Sequence, residues 1–140
     1  MIKAIIGDFT ANFVSDAECL YLCDVEVTLS SSNGDKLKEL GFCMSEESKM
    51  PDVILYSVDK DWLYLIESVT NGGVIDEIRL EELEAVMKNV DKQKVFVTAF
   101  PNSLSFKDNM ERLAWDTVAW IADAPEHMIH FEKQGMLEPR

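Results

Sequence analysis

The chain has 140 residues, 47% of them hydrophobic, with 26 acidic residues against 13 basic ones and a formal net charge of −13. That length fits one domain burying about two-thirds of its unfolded surface, and the composition is that of a folded globule, not a disordered tail. No apolar run is long enough to span a bilayer, and the opening MIKAIIGDFT is too short in its apolar part for a secretory signal, so an intracellular, cytoplasmic protein is expected.

In chain order, Ile2–Ile6 reads as a short strand closed by a Gly7-Asp8 turn, and residues 10–16 read as loop. Cys19–Thr28 alternates in part and is predicted as a second strand. Asp35–Leu40, entered from SSSNG, is predicted as a short helix with Gly41 as its C-cap. A brief strand at Phe42–Met44 and a solvated linker at Ser45–Lys49 follow. Cys19, Cys23 and Cys43 are odd in number and form no CxxC pair, which favours free thiols in a reducing compartment and leaves room for one disulfide at most.

Residues 51–70, PDVILYSVDKDWLYLIESVT, hold two apolar runs rich in β-branched and aromatic residues, Val53–Val58 and Trp62–Val69. The polar link Asp59-Lys60-Asp61 between them predicts a hairpin. Pairing centred on that link sets Asp52, at the mouth of the first run, opposite Glu67 inside the second. Glu67 is flanked by Leu65, Ile66 and Val69, and a carboxylate among such neighbours is costly to bury unless it is paired or holds a metal. Two acids at one end of a hairpin suit a divalent-cation site for phosphodiester chemistry. The structural alternative is that Asp52 only opens a strand after a proline, and that Glu67 is a core acid held by an arginine or by backbone.

After a Thr70-Asn71-Gly72-Gly73 turn, Ile75–Val90 is the clearest helix, with acids in its first turns and lysine towards its end, as the helix dipole favours. Ile75, Ile78 or Arg79, Leu83, Val86, Met87 and Val90 form its inward stripe, while Glu81, Glu82 and Glu84 read as a solvated face. Lys94–Phe100 reads as a buried strand, and Leu104–Trp115 as a second amphipathic helix with Leu104, Met110, Leu113 and Ala114 facing in. Val118–Ala122 is a strand close to an edge, Met128–Phe131 adds one more, and 132–140 is an irregular tail. The order predicts an α/β fold: a mixed central β-sheet flanked by α-helices, with right-handed crossovers.

Other constellations carry less. His127 and His130 have HxxH spacing, but in a strand or irregular tail they point apart, so a shared metal is not favoured. Ser68 lacks a neighbouring histidine, Trp62, Trp115 and Trp120 read as core or interface, and no phosphate-binding glycine motif is present.

The blocks PDVILY, WLYLIESVT, IDEIRLEELE, VFVTAFP, LAWDTVAWIADAPEHMIHF and the closing LEPR, with the early Gly7-Asp8, resemble in order the C-terminal catalytic domain of the BsuBI/PstI family of type II restriction endonucleases. The resemblance implies a restriction-endonuclease-like PD-(D/E)xK core that holds Mg²⁺ and cuts duplex DNA at a short palindrome, usually as a homodimer. Carried over by position, Asp52 and Glu67 become the metal ligands. The sequence departs from the superfamily pattern at Val69, where a lysine is usual. Basic residues at the head of the next helix are the expected substitutes; there, Ile78 is apolar and Arg79 basic, and Gly72 stands where relatives often carry a histidine. Arg79 is therefore the candidate third catalytic residue. Always charged, it acts electrostatically and not as a general base. The alternative role for Arg79 is structural pairing with Glu82 or Glu67.

Full members of the family carry an N-terminal region devoted largely to DNA recognition. This chain, opening at the nuclease domain, is expected to be a single catalytic domain over 1–140 without that region. The charge of −13 works against tight binding of double-stranded DNA without a locally basic groove. A rival reading is a catalytically silent, acidic protein of the nuclease fold that binds a basic partner protein, with the acidity imitating DNA.

Overall fold

A computed structural model describes residues 1–22, 39, 50–70 and 73–132. The predicted elements over 23–38 and 40–49, the thiols of Cys23 and Cys43, Gly72 and the tail at 133–140 lie outside them.

The N-terminal segment is helical, not the strand that Ile2–Ile6 predicts. It runs from α1 (Ile2–Ala4) through wider π-helical turns at Ile5–Phe9 into α2 (Thr10–Phe13). Gly7-Asp8 lies within this run instead of ending it. Met1, Ile5, Phe9 and Phe13 recur every four residues, and all four pack into one apolar cluster. Burial of that stripe outweighs the strand preference of the isoleucines and the punctuation of Gly7.

The strands are β1 (Ala17–Leu22), β2 (Val53–Ser57), β3 (Trp62–Ser68), β4 (Gln93–Phe100), β5 (Thr117–Ile121) and β6 (Met128–Phe131). Among the described residues they form one six-stranded sheet in sequence order. β1, β2 and β3 run antiparallel in turn, β3–β4 and β4–β5 are parallel, and β6 returns antiparallel at the edge. The sheet is mixed, as predicted. Each parallel step is made by a helical crossover, α3 (Glu77–Val86) between β3 and β4, and α4 (Ser103–Asn109) between β4 and β5.

Alternation along the strands sorts the core onto two faces. Val53, Leu55, Tyr64, Ile66, Val97, Val118 and Trp120 pack with Ile5 and Phe9 on one face. Ile54, Leu63 and Leu65 pack with Val86, Met87 and Val90 on the other, under α3 and the turn that follows it. The first predicted stripe offers Ile78 or Arg79, and the second needs correction. Ile78 is 72% exposed, leaving Arg79 as the residue that turns inward at the head of α3. Leu104 is 66% exposed and Met110 is also exposed, because α4 packs instead through Phe106 against Phe100 and Phe131. Both helices are shorter than predicted; residues 110–112 continue α4 only as a turn of 3-10 helix.

Candidate active site

The β2–β3 hairpin has the register that its link predicts, with Val53 opposite Ile66 and Ser57 opposite Trp62. The link itself is Val58–Asp61; Asp61 donates its N–H to the Ser57 carbonyl at 2.8 Å and takes a left-handed φ of 59° that lets the chain reverse. One step beyond the paired residues, Asp52 and Glu67 fall on the same face as Ile54 and Leu65, the face covered by α3. They are 8% and 3% exposed.

The two acids are laced across the strands. Asp52 Oδ2 accepts the Ser68 N–H at 2.7 Å, and the Glu67 carboxylate accepts the Asp52 backbone N–H. Asp76 caps α3 by accepting the Arg79 N–H at 2.8 Å, which fixes the backbone from which the Arg79 side chain returns to the sheet. Its Nη2 donates to Glu67 Oε1 at 2.8 Å and to the Met50 carbonyl at 3.0 Å, and its Nη1 donates to Glu82 Oε1 at 3.1 Å. Arg79 thus pairs with Glu67 and Glu82 alike, and Glu82 serves as its partner as well as facing solvent.

Burial pushes the Glu67 carboxyl above the usual carboxylate range. The Arg79 hydrogen bond and charge pull it back, and the Asp52 charge adds to the push. Burial also works against the Arg79 charge, but the hydrogen bonds and charges of Glu67 and Glu82 together outweigh it and raise its pKa.

This donor set fits a hard divalent cation. Mg²⁺ takes oxygen ligands and commonly uses one or two protein carboxylates, with water and substrate phosphate completing its shell. Asp52 and Glu67 supply such a pair, and a dication would offset the mutual repulsion that burial has sharpened. Among the described residues no cluster of three or more His, Cys, Asp or Glu forms that could hold a metal, the pair His127 and His130 included. Val69, at the position where a lysine is usual, packs instead beside Val74, Phe100 and Ala119.

Sequence reasoning missed three contributors. The Met50 carbonyl and the Ser68 N–H are backbone groups, which side-chain patterns do not reveal. Thr98 pairs with Glu67 in the parallel register, is fully buried, and accepts the Ile75 N–H on Oγ1 at 3.2 Å, so it ties the turn before α3 to the sheet beside the acids. Its signal was present: it is the one hydroxyl in the apolar run KVFVTAF.

No helix of the described residues is long and apolar enough to cross a membrane. Known proteins resemble this chain. The chain is 38% identical over 139 residues to the type II restriction enzyme BsuBI of Bacillus subtilis, an alignment covering 99% of this chain and 44% of that enzyme. It is 31% identical over 141 residues to the type II restriction enzyme AplI of Arthrospira platensis, covering 94% and 42% respectively. The solved SdaI restriction endonuclease superposes with a TM-score of 0.84 at 31% identity, over 98% of this chain and 43% of that one. The chain therefore spans less than half the length of the relatives it matches. The BsuBI/PstI restriction endonuclease domain matches residues 1–134, and the chain belongs to that family.

Proposed function

We propose that this chain is a single nuclease domain of the type II restriction class that hydrolyses phosphodiester bonds in duplex DNA, with Asp52 and Glu67 holding Mg²⁺. The observation that carries the reading is the convergence of these two buried carboxylates on one face at the open end of the hairpin. When bound, the cation supplies positive charge against the phosphoryl oxygens as negative charge builds on them. Asp52 and Glu67 orient it, each anchored by a backbone N–H of the opposite strand. Arg79 holds Glu67 in place and adds fixed positive charge beside the reacting phosphate; always protonated, it moves no proton. Cutting both strands of a palindrome takes two such domains, which makes a homodimer the working unit. The test is plasmid nicking. Cleavage should require Mg²⁺ and disappear in Asp52→Ala and Glu67→Ala, each checked for a native melting transition. Cleavage that survives both substitutions would reject the assignment.

Two observations favour a second reading. The Arg79 guanidinium lies 2.8 Å from Glu67, and Val69 gives the site no lysine. An acidic nuclease fold that has lost catalysis and binds a basic protein accounts for both. Absence of a duplex-DNA gel shift at low salt, together with a stable complex with a basic protein, would favour it.

A further inference from the structure

α3 has two working flanks. On one side Arg79 pairs with Glu67 and Glu82, while Glu77, Leu80 and Glu84 follow one another at three- and four-residue steps on the other. On that second side lies an open cleft of about 310 Å³, lined by Glu77, Leu80, Glu84, Phe96, Trp115 and Asp116. Leu80 and Phe96 are half-buried, and Trp115 is 40% exposed. The Trp115 backbone N–H donates to Glu77 Oε1 at 3.3 Å, joining the two walls. The three charged groups of the lining are all carboxylates, and Lys94, two residues before Phe96 on β4, is turned to the Val90 carbonyl at 2.9 Å.

We propose that this cleft binds an arginine side chain presented by a basic segment of a partner protein. An apolar floor with an accessible indole accepts the face of a guanidinium, and the carboxylates meet its edge with charge-assisted hydrogen bonds. Complementarity selects among occupants. A second copy of a chain carrying −13, or a nucleic-acid phosphate, would bring negative charge against this rim. The inference rests on this cleft alone and holds under either reading of the acidic pair.

The probe is the peptide acetyl-Ala-Arg-Ala-amide, titrated against the full chain by NMR and compared with the same peptide carrying neutral citrulline. The arginine peptide should shift the Trp115 indole N–H, and the citrulline peptide should not. Trp115→Ala and Glu84→Gln should each weaken binding by about three- to fivefold. Asp108→Asn, an equal change of charge at an exposed site outside the cleft, should leave it unchanged. Glu84 lies on the surface, so its variant keeps the test independent of folding. Equal binding of the citrulline peptide, or equal weakening in Asp108→Asn, would overturn the proposal. Self-association of the free chain that is lost in Trp115→Ala would also overturn it and assign the cleft to a second copy.

Discussion

Asp52 Oδ2 accepts the backbone N–H of Ser68 at 2.7 Å, so the carboxylate proposed to hold the cation also closes the end of the hairpin. Its two roles separate by substitution. Asp52→Asn keeps an oxygen acceptor for Ser68 and should change stability by less than about 1 kcal/mol. Asp52→Ala leaves a buried N–H without its acceptor and should cost about 1–3 kcal/mol. Both should abolish the heat of Mn²⁺ or Mg²⁺ binding in calorimetric titration. Undiminished cation binding in both would remove Asp52 from the ligand set.

Arg79→Met strips Glu67 of the hydrogen bond and charge that hold its pKa down. A carboxyl whose folded pKa is raised favours folding while protonated; that contribution is complete below its ordinary value of 4.5 and is lost as pH rises through the raised one. Removing Arg79 raises it further, so the loss deepens with pH. The variant should lose about 2–4 kcal/mol in urea denaturation at pH 8 and clearly less at pH 5. A larger loss at pH 5 would contradict the pairing.

Asp76→Ala removes the side-chain cap from α3, whose acceptor holds the Arg79 N–H at 2.8 Å. The expected cost is about 1 kcal/mol, read from the thermal midpoint. Gly at this position should cost only a few tenths.

Asp16 accepts the Asp59 N–H at 2.7 Å and the Ser57 hydroxyl, pinning the hairpin link from outside. The Asp59 N–H bond, with Ser57 adding to it, holds its pKa below the ordinary 3.8. A depressed carboxyl stabilises the fold above its ordinary value and loses that contribution as pH falls through the folded one. Asp16→Ala should therefore melt below the parent at pH 7 and converge with it in strong acid, with faster amide exchange at Asp59. A gap that widens on acidification would count against this link.

Phe9 is fully buried and meets Trp120 edge-to-face with ring centroids 5.6 Å apart. Phe9→Ala should cost about 3–5 kcal/mol, which tests whether the N-terminal helical run is part of the core. A cost near zero would make that run a detachable arm.

The hairpin was legible because its register depends on a short link and a period of two, both local. The acids' shared face follows from the same arithmetic. The N-terminal helical run was legible only through Met1, Ile5, Phe9 and Phe13; over a short segment, the isoleucines and Gly7-Asp8 gave the opposite local signal. The choice between Ile78 and Arg79, and the inward placing of Leu104, fall near the start of a helix, where neighbouring helical faces cannot be told apart until the sheet is in place. Arg79 was identifiable as the basic residue of that turn, but its grip on Met50 belongs to tertiary structure.

Sequence-local pairing closes faster than parallel pairing, which must wait for a crossover. β2 and β3 meet across Val58–Asp61, whereas β3 reaches β4 only after α3 has been laid down. A hairpin that closes before α3 docks would bring the Asp52 and Glu67 carboxylates side by side without the Arg79 guanidinium that Glu67 meets in the folded chain. Such a hairpin would close against self-repulsion, and ionic strength or a dication present at that moment should speed the step.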